Sequence, residues 1–440
     1  MNTKAQKVLI LGAAGRDFHD FLTWFRDRPE WHVVAFTAEQ IPGIAGRCFP
    51  AALAGERYPE GIPIHPEAQM AQLIAEHDIG WVCLAYSDLS HQTVMDKASR
   101  ALAAGAKFLL LPGRDTWVAA AKPVIAVTAV RTGCGKSQTA RAIGRLLRAR
   151  GRRVVAIRHS MPYGPDLTLQ ACQRFGHVAD FARHHTTIEE EEEYQPWLDH
   201  GFVVFAGFDY RQIVPLAAAE ADVLVFDGGN NDQPMVAPAV HVVVVDPHRA
   251  GHETTYYPGF TNLLTADVVV VNKTDSAEPQ AVDACERAVR AQRPGVAVIR
   301  AASVIEGPAA AVRGRRCAVI GDGPTLTHGG MAFGAGTLFV QRNGGELVDP
   351  RPFLVGALRA TLQQYPHLGR EIPAMGYSEQ QIADLAASVD AVPADVVVDG
   401  SPADLGRVLR CNKPIVNVRY ELDDASARRL LAAIDAVRVF

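Results

Sequence analysis

The segment at residues 124–139, VIAVTAVRTGCGKSQT, constrains the fold of this chain more than any other part of the sequence. The apolar run at 124–127 predicts a buried strand, a short loop ends in the residues GCGKS, and a helical pattern follows. A strand, a glycine-bearing loop and a helix in this order are the context of a phosphate-binding loop. The glycines let the loop amides turn inward and the helix N-terminus attracts anions, so the segment predicts a site for nucleotide phosphates.

Two side chains of this loop predict the chemistry of the site. Lys136 is expected to bind the β- and γ-phosphates, and the hydroxyl of Ser137 is expected to ligate Mg²⁺. The first glycine of the common GxxxxGK[ST] pattern is replaced by Val130, and Arg131 follows it. This variant resembles the P-loop branch that includes ParA/MinD-type ATPases and urease or hydrogenase maturation GTPases. Some members carry a lysine here that reaches the phosphates of a dimer partner, so Arg131 either does similar work or is a solvated surface arginine.

Two later motifs end apolar runs in the order expected of a GTP-type domain. Asp227 follows the run at 223–226, where a Walker-B carboxylate holds the Mg²⁺ shell. NKTD at 272–275 follows another run, and its aspartate can accept two hydrogen bonds from guanine that adenine cannot donate. NKTD favours GTP but can also merely cap a strand, so ATP and GTP both stay open. The predicted nucleotide-binding residues are Gly133, Cys134, Gly135, Lys136, Ser137, Gln138, Asn272, Lys273, Asp275 and Ser303.

The size and charge of the chain exclude several classes of protein. Its 440 residues, 48% hydrophobic and 21% charged, suit two or three globular domains. A net charge of −4 gives no basic footprint for nucleic acid, and seven cysteines without a CxxC pair argue against a disulfide framework or a thiolate zinc site. No apolar run approaches the roughly 20 residues of a membrane span, and the N-terminus lacks a signal-peptide pattern. We therefore expect a cytoplasmic protein with neither a nucleic-acid nor a membrane partner.

The first 118 residues predict a small Rossmann-like domain. Apolar runs at 7–11, 33–36, 81–85 and 108–111 alternate with helical patterns, which favours a parallel sheet. The dinucleotide fingerprint fails, because Ala14 and Asp17 stand at its second and third glycine positions and the second strand ends in Thr37 rather than an acid. The glycine-bearing turn can still face a phosphate or carboxylate of another ligand.

The whole chain is therefore predicted to be an α/β protein with three parts. A Rossmann-like domain at 1–118 precedes a P-loop NTPase core with a parallel sheet at 119–310. A C-terminal α/β extension at 311–440 is expected to pack on the core, and its strand-helix-strand pattern is expected to add strands to the P-loop sheet.

Basic side chains follow several of the predicted strands, at the sheet edge where ligands of open α/β folds bind. Arginine forks and histidines at such an edge suit a phosphate-bearing second substrate, and the histidines could instead bind Zn²⁺ or Ni²⁺. Any single histidine can also have a purely structural role. The predicted substrate-binding residues are Arg158, His159, His184, His185, His248, Arg249 and His252.

A run of five glutamates occupies residues 189–193. Thr187 and Glu190 form a capping-box pattern, which predicts a helix start. We expect a solvated acidic helix start, and the alternative is that one of these glutamates faces a second metal ion.

Several motifs together resemble the cyclic 2,3-diphosphoglycerate synthetase family. They are RTGCGKS at 131–137, RHSMPYG at 158–164, TIEEEEEY at 187–194, DGGNND at 227–232, DPHRAGHETTYYPG at 246–259, NKTD at 272–275 and DGPTLTHGGMAFGAG at 322–336. The resemblance implies an ATP-driven closure of 2,3-diphosphoglycerate into an intramolecular phosphoanhydride, with release of a nucleoside diphosphate and phosphate. It also implies a homodimer.

On this hypothesis Lys136, Arg131 and Mg²⁺ neutralise the transferring γ-phosphate, while Ser137 and Asp227 hold the metal. The basic residues hold the acceptor, and its orientation favours ring closure. The competing hypothesis is a GTPase switch or a metallochaperone-type GTPase that makes no small-molecule product.

Overall fold

The computed structural model describes residues 5–39, 46–159, 162, 164, 166–229, 232–374, 379–402 and 404–440, and it describes no side chain at 188 or 189. Positions 160, 161 and 163 of the RHSMPYG motif, and 230 and 231 of the DGGNND motif, lie outside the described residues. So does the side chain at 189, in the glutamate run.

The N-terminal part contains a six-stranded sheet. Its strands and the short β6 are β1 (Gln6–Leu11), β2 (Trp31–Ala38), β3 (Cys48–Phe49), β4 (Ile62–Pro66), β5 (Trp81–Leu84), β6 (Leu89–Ser90) and β7 (Lys107–Leu110). The helices are α1 (Gly15–Asp20), α2 (Ala51–Ala54), α3 (Met70–His77), α4 (His91–Ala103) and α5 (Gly113–Thr116). The sheet order is β3-β4-β2-β1-β5-β7, parallel except where β3 meets β4. The parallel strands predicted here are confirmed.

The central part contains an eight-stranded sheet. Its strands and the short β14 are β8 (Val124–Ala129), β9 (Val154–His159), β10 (Gln173–Phe175), β11 (Val203–Gly207), β12 (Val223–Asp227), β13 (Val240–Val245), β14 (Tyr256–Tyr257), β15 (Val268–Val271) and β16 (Ala297–Arg300). The helices are α6 (Lys136–Ala149), α7 (Leu167–Gln170), α8 (Ala179–His184), α9 (Ile188–Asp199), α10 (Tyr210–Glu220), α11 (Gly259–Thr265) and α12 (Pro279–Gln292).

The order of this sheet is β10-β11-β9-β12-β8-β13-β15-β16, and β10 alone runs antiparallel among its described strands. The valine runs of β13 and β15 are 0% exposed, as expected of parallel strands covered on both faces. Because β8 lies between β12 and β13, the P-loop that follows β8 is flanked by the loops that carry the other motifs.

The C-terminal part forms a sheet of its own. Its strands are β17 (Ser303–Glu306), β18 (Arg316–Gly321), β19 (Glu346–Leu347), β20 (Glu371–Pro373), β21 (Val396–Gly400), β22 (Ile415–Asn417) and β23 (Arg419–Leu422). The helices are α13 (Gly323–Leu326), α14 (Ala335–Arg342), α15 (Gly356–Gln364), α16 (Glu379–Ala391) and α17 (Asp424–Val437).

In the C-terminal sheet the order is β19-β18-β21-β22, with β20 also paired to β18. The expectation that this part adds strands to the P-loop sheet is wrong, because β16 ends that sheet and β17 pairs antiparallel with β23 instead. From this part α17 joins the P-loop core, where Leu430 and Ile434 pack among the strand valines together with Leu422 of β23.

The three parts share buried surface. Phe208 of the central part packs with Phe18 and Phe49 of the N-terminal part at ring-centroid distances of 5.2 and 6.1 Å. The short strands β6 and β14 pair antiparallel across the same boundary. The domain boundaries at 118 and 310 stay a prediction. Within the described residues, no helix has the length and apolar character needed to cross a membrane.

Candidate active site

The P-loop connects β8 to α6 and has the backbone that its glycines predict. Gly133 and Gly135 have φ values of +80° and +98°, a region that side-chain-bearing residues rarely adopt. A Cβ at Gly135 would lie 2.0 Å from the amide nitrogen of Asn272, and one at Gly133 would lie 2.6 Å from the hydroxyl of Thr325. The loop is therefore packed so closely that neither glycine can be replaced without moving a neighbour.

Three side chains fix the P-loop by donating hydrogen bonds to its backbone carbonyl oxygens. Arg249 Nη1 donates to Thr132 O at 2.7 Å, Lys273 Nζ to Gly133 O at 2.6 Å, and Asn272 Nδ2 to Cys134 O at 2.9 Å. Asp246 accepts from both Arg249 and Lys273 at 2.9 Å and fixes the two cations. Because three successive carbonyls are bound on one side, the loop backbone is held in a fixed orientation toward the cleft.

Lys136 lies at the start of α6 and meets the carboxylate of Asp227 at the end of β12. Its Nζ donates to Asp227 Oδ1 at 3.0 Å, Arg158 Nη1 lies 2.7 Å from the same oxygen, and Trp197 Nε1 donates to Oδ2 at 3.0 Å. Burial and the neighbouring Arg158 lower the pKa of Lys136 to about 8, against the attraction of Asp227. Burial alone would raise the pKa of Asp227, but Arg158 and Lys136 outweigh it and hold that pKa below its ordinary value.

The predicted metal ligands lie close together at this point. Lys136 Nζ also lies 3.3 Å from the hydroxyl of Ser137, so Ser137 and Asp227 are both near the lysine. A hydroxyl and a carboxylate are oxygen ligands of the kind Mg²⁺ accepts, and Asp227 already attracts two cationic side chains. The residues therefore fit an Mg²⁺ ion bound together with nucleotide phosphates. Among the described residues, no group of three or more His, Cys, Asp or Glu side chains forms a metal cluster.

The NKTD motif lies beside the loop, but its aspartate already has two partners. Asp275 Oδ1 accepts from the backbone N–H of Ser303 at 2.9 Å, and Oδ2 accepts from Arg342 at 3.0 Å. The hydroxyl of Ser303 donates to Gln138 Oε1 at 3.1 Å. This hydrogen bond connects the segment at Ser303, which was predicted to contact the base, to α6. A guanine base would have to share Asp275 with Arg342, a contact that the motif alone does not reveal.

A cleft of about 460 Å³ opens in front of the P-loop, between the central and C-terminal parts. Its apolar lining suits a purine ring and comes mostly from C-terminal residues: Ile305, Leu326, Met331, Phe333, Leu338 and Val418. Charged side chains of both signs line the rest: Lys136, Arg141, Arg145, Arg158, Lys273, Arg419, Glu192, Glu193, Asp199, Glu306, Asp322 and Glu421. The apolar residues and Glu306, Asp322, Arg419 and Glu421 carry no sequence signal for this site, because they reach the P-loop only when the C-terminal sheet folds over it.

Of the predicted substrate-binding residues, only Arg158 and His248 line the cleft. His248 lies against Phe333 with the rings 5.7 Å apart, and its Nε2 pairs with the hydroxyl of Ser276 at 2.9 Å. His159 is buried beneath Gly229, where a Cβ would lie 2.4 Å from its ring. Arg249 does not line the cleft, because its guanidinium binds the P-loop carbonyl of Thr132.

His184 and His185 lie away from the cleft, at the end of α8. His184 packs against Phe175 at 4.9 Å and pairs with the carbonyl of Arg174 at 3.2 Å. His185 caps the helix in a left-handed conformation with φ of 52°. The structure does not bring this pair to the other predicted substrate contacts, because α8 lies beside β10 at the far edge of the sheet.

Arg131 is buried, not solvated, and it joins three parts of the chain. Its Nε donates to Asp88 Oδ1 at 2.7 Å, Nη1 pairs with His252 Nδ1 at 2.6 Å, and Nη2 donates to His328 O at 2.9 Å. Its guanidinium also lies 3.7 Å from the ring centre of Tyr256. Burial and Arg131 lower the pKa of His252 to about 4, so this histidine is neutral. Neither side chain lines the cleft, and a phosphate contact by Arg131 stays a prediction.

The glutamate run is more buried than predicted. Thr187 and Glu190 form the capping box, which confirms the helix start. Glu190 and Glu192 are only 2% and 6% exposed, so the expectation of a solvated acidic start is wrong for them. Burial raises the pKa of Glu190 to about 7. Glu193 pairs with Arg158 Nη2 at the edge of the cleft, which brings one acidic side chain of this run beside Asp227.

Comparisons with known proteins give a relative that matches along almost the whole chain. The arginine synthetase ArcE of Thermococcus kodakarensis is 50% identical over 434 residues, which cover 98% of this chain and 97% of that protein. No protein-family model matches the chain.

Solved structures resemble the fold only weakly. LpxK from Aquifex aeolicus in complex with ATP is 12% identical with a TM-score of 0.42, and the alignment covers 84% of this chain and 100% of LpxK. The hydrogenase maturation factor HypB from Archaeoglobus fulgidus is 15% identical with a TM-score of 0.25, covering 48% of this chain and 89% of HypB. Similarities of this size carry no functional argument, whereas the 50% identity along almost the entire length of both chains does. The chain belongs to the same family of synthetases as the arginine synthetase ArcE.

Proposed function

We propose that this protein is an NTP-dependent synthetase whose product is arginine, and that it makes the guanidino group from the ureido group of citrulline and ammonia. Citrulline differs from arginine only in having a ureido oxygen where arginine has a guanidino nitrogen. Replacing that oxygen requires activation, because oxygen is a poor leaving group. Phosphoryl transfer from an NTP supplies this activation, and a P-loop with Lys136 and Asp227 is the machinery for such a transfer.

The observation that carries this proposal is the balance of charge in the cleft. Beyond Lys136, Arg158 is paired with Glu193 and with Asp227, and further acidic side chains line the same space. A zwitterionic amino acid with an uncharged ureido group is compatible with such a mixed lining. A bisphosphate needs an excess of cations to offset its charge. The name of the relative, which is similar over the whole chain, supports the same product.

The proposed reaction has two steps. The ureido oxygen attacks the γ-phosphorus, the bond to the β-phosphate oxygen breaks, and the nucleoside diphosphate leaves. Ammonia, formed when the ammonium ion gives up a proton, then attacks the ureido carbon. The C–O bond breaks, the oxygen leaves with the phosphate, and the nitrogen loses a second proton to give the guanidinium of arginine. One NTP is converted to NDP and phosphate for each arginine formed.

The residues of the P-loop site have distinct parts in this proposal. Lys136 and Arg158 offset the negative charge that spreads over the γ-phosphoryl oxygens, and they are near enough to share Asp227. The apolar C-terminal lining covers the base and excludes water, which otherwise competes with the acceptor. Ser137 and Asp227 would hold Mg²⁺, which supplies charge neutralisation to the phosphates when bound.

A coupled assay tests this proposal. Purified protein is incubated with Mg²⁺, ammonium, L-citrulline and either ATP or GTP, and arginine, NDP and phosphate are quantified. We expect arginine and NDP in equal amounts, no product without ammonium, and loss of product in Lys136→Ala and Asp227→Asn. Comparing ATP with GTP in the same assay decides the base preference that NKTD alone leaves open. NDP release that is indifferent to citrulline would contradict the proposal.

A second candidate is the cyclisation of 2,3-diphosphoglycerate, favoured by the motif resemblance along residues 131–336. The same assay with 2,3-diphosphoglycerate in place of citrulline and ammonium tests it, since a cyclic product would form with NDP and phosphate. A GTPase switch is the outcome if NTP hydrolysis responds to neither acceptor. The homodimer implied by the resemblance stays a prediction, and light scattering of the purified protein measures it.

A further inference from the structure

A second cluster of charged side chains lies outside the cleft, where α1 of the N-terminal part meets the central part. Asp17, Asp20 and Asp232 are only 2%, 1% and 3% exposed. Arg16, itself 5% exposed, brings a cation to the cluster: its Nε lies 3.4 Å from Asp20, and its Nη1 donates to the carbonyl of Gln233 at 3.4 Å. Asp20 pairs with this guanidinium, while the carboxyl groups of Asp17 and Asp232 are buried nearby.

Burying these carboxyl groups together lowers the stability of the folded protein. Burying a carboxylate without a compensating charge is strongly unfavourable, so the group either takes up a proton or needs a cation. Burial raises the pKa of Asp17 to about 8, and repulsion from Asp20 and Asp232 adds to the effect. Burial also raises the pKa of Asp20 to about 6, even though Arg16 opposes the shift. Both shifts indicate that the negative charge of the cluster exceeds what Arg16 offsets.

Unpaired polar atoms from other elements face the same cluster. His159 at the end of β9 is 8% exposed, and its Nδ1 has no hydrogen-bond partner although it lies 3.5 Å from Asp232 Oδ2. The hydroxyl of Tyr210 is buried and without a partner, and it interacts electrostatically with Asp232. Asp17 Oδ1 has no hydrogen-bond partner, and Asp20 Oδ1 has an ion-pair contact with Arg16 Nε but no hydrogen bond. Buried polar atoms are normally hydrogen-bonded. Several buried atoms without hydrogen-bond partners in one region therefore indicate that a ligand binds them.

The turn before α1 explains why this ligand is not a phosphate. Asp17 folds back over the glycine turn, so that its Oδ2 accepts from the N–H of Ala14 at 2.7 Å. A Cβ at Gly12 would lie 1.9 Å from Asp17 Oδ1. The carboxylate therefore occupies the helix N-terminus where the pyrophosphate of a dinucleotide would bind, and it repels anions. The site selects a cation, and its buried oxygen acceptors favour one with N–H donors.

We propose that Asp17, Asp20 and Asp232 bind an ammonium group, which is either the free ammonium ion or the α-ammonium of the amino-acid substrate. An ammonium group donates up to four hydrogen bonds and carries the single positive charge that the cluster lacks. This inference rests on the proposed function for the identity of the cation. It goes further by giving the N-terminal part a substrate site that the P-loop motifs do not predict.

The cluster is also connected to the reacting centre. Asp232 acts electrostatically on Lys136 as well as on His159. His159 follows Arg158 in the chain, and Arg158 binds the carboxylate of Asp227. The charge of the cluster therefore influences the phosphate site, as expected of a group that anchors the acceptor near it.

Thermal unfolding of the full chain without nucleotide tests binding directly. Ammonium chloride is compared with sodium chloride and tetramethylammonium chloride at equal ionic strength, because the last has the charge but no N–H donors. We expect ammonium, or citrulline if the α-ammonium is the ligand, to raise the Tm of the wild type. The rise should disappear in Asp20→Asn and Asp17→Asn and persist in Asp115→Asn, which changes an exposed carboxylate on α5.

Kinetics then separate the two sources of the ammonium group. If the free ion binds, Asp20→Asn should raise the KM for ammonium at least tenfold and leave the KM for the nucleotide unchanged. If the α-ammonium binds, the KM for citrulline should rise instead. If Asp20→Asn does not fold, Asp17→Asn is used for both the Tm and the KM measurements. We expect Asp17→Asn to fold, because asparagine resembles a protonated aspartate in shape and polarity.

Unchanged Tm responses and unchanged KM values for both compounds in both variants would overturn the proposal. A wild type that forms no arginine, but whose ammonium-dependent Tm rise is lost in Asp20→Asn, would retain the site and reject the proposed function.

Discussion

At the scale of single residues, the chain places several ionisable groups where water cannot reach them. The clearest is Asp17, a carboxyl 2% exposed that faces Asp20 and Asp232 and has Arg16 and Cys83 nearby. Its pKa is raised to about 8 in the folded protein, against an ordinary value of 3.8. The folded state therefore binds a proton more tightly than the unfolded chain does, and the stability it contributes is lost as pH rises.

Replacing Asp17 with asparagine should change how stability depends on pH. For the wild type in ammonium-free buffer, the contribution of this group is full below pH 3.8 and falls by up to about 1.4 kcal/mol per pH unit until pH 8. Asp17→Asn should remove this slope and be more stable than the wild type at pH 8. Urea unfolding at pH 5 and pH 8 measures the difference. A wild type and variant with parallel pH profiles would show that Asp17 ionises normally.

At the scale of elements, the sequence predicted the strands and loops around the site better than the side chains that line it. The parallel strands, the P-loop and the carboxylate of Asp227 follow from local patterns, since apolar runs and glycine positions are set within a few residues. Lys136, Ser137 and Asp227 do converge. Arg249 and Asn272 also follow strands, but which way a side chain turns after a strand depends on neighbours from distant segments. Both turn toward the P-loop carbonyls.

The support behind the P-loop is itself testable. Arg249→Met keeps much of the side-chain volume and removes the hydrogen bonds to the carbonyls of Thr132 and Gly329. We expect nucleotide affinity to fall about tenfold, equivalent to about 1.4 kcal/mol, because the loop must then be ordered at the expense of binding. Isothermal titration with a non-hydrolysable nucleotide measures the change. Arg316→Met, which removes an exposed ion pair with Asp395, is the matched control and should leave affinity unaltered.

At the scale of the whole molecule, the cleft exists because the C-terminal sheet closes over the P-loop. Local patterns could not predict this arrangement, since β17 pairs with β23 more than a hundred residues later. Arg131 ties the three parts together through Asp88, His252 and the carbonyl of His328. These contacts give Arg131 a structural role, and a phosphate contact by the same side chain stays a prediction.

Substituting Arg131 distinguishes a structural role from a phosphate contact. Arg131→Met leaves the buried carboxylate of Asp88 without its ion-pair partner, a loss worth about 3–5 kcal/mol in comparable sites. We expect a marked drop in the free energy of unfolding, with nucleotide affinity nearly unchanged under conditions where the variant is folded. The opposite pattern, normal stability with much weaker nucleotide binding, would favour the phosphate contact.

In the reaction we propose, a phosphoryl group from the nucleotide activates the ureido oxygen of the acceptor. Citrulline labelled with ¹⁸O in the ureido group tests it most directly, with the released phosphate analysed by mass spectrometry during arginine formation. We expect one ¹⁸O atom in each phosphate and NDP as the other product. Unlabelled phosphate, or release of pyrophosphate with NMP, would contradict it.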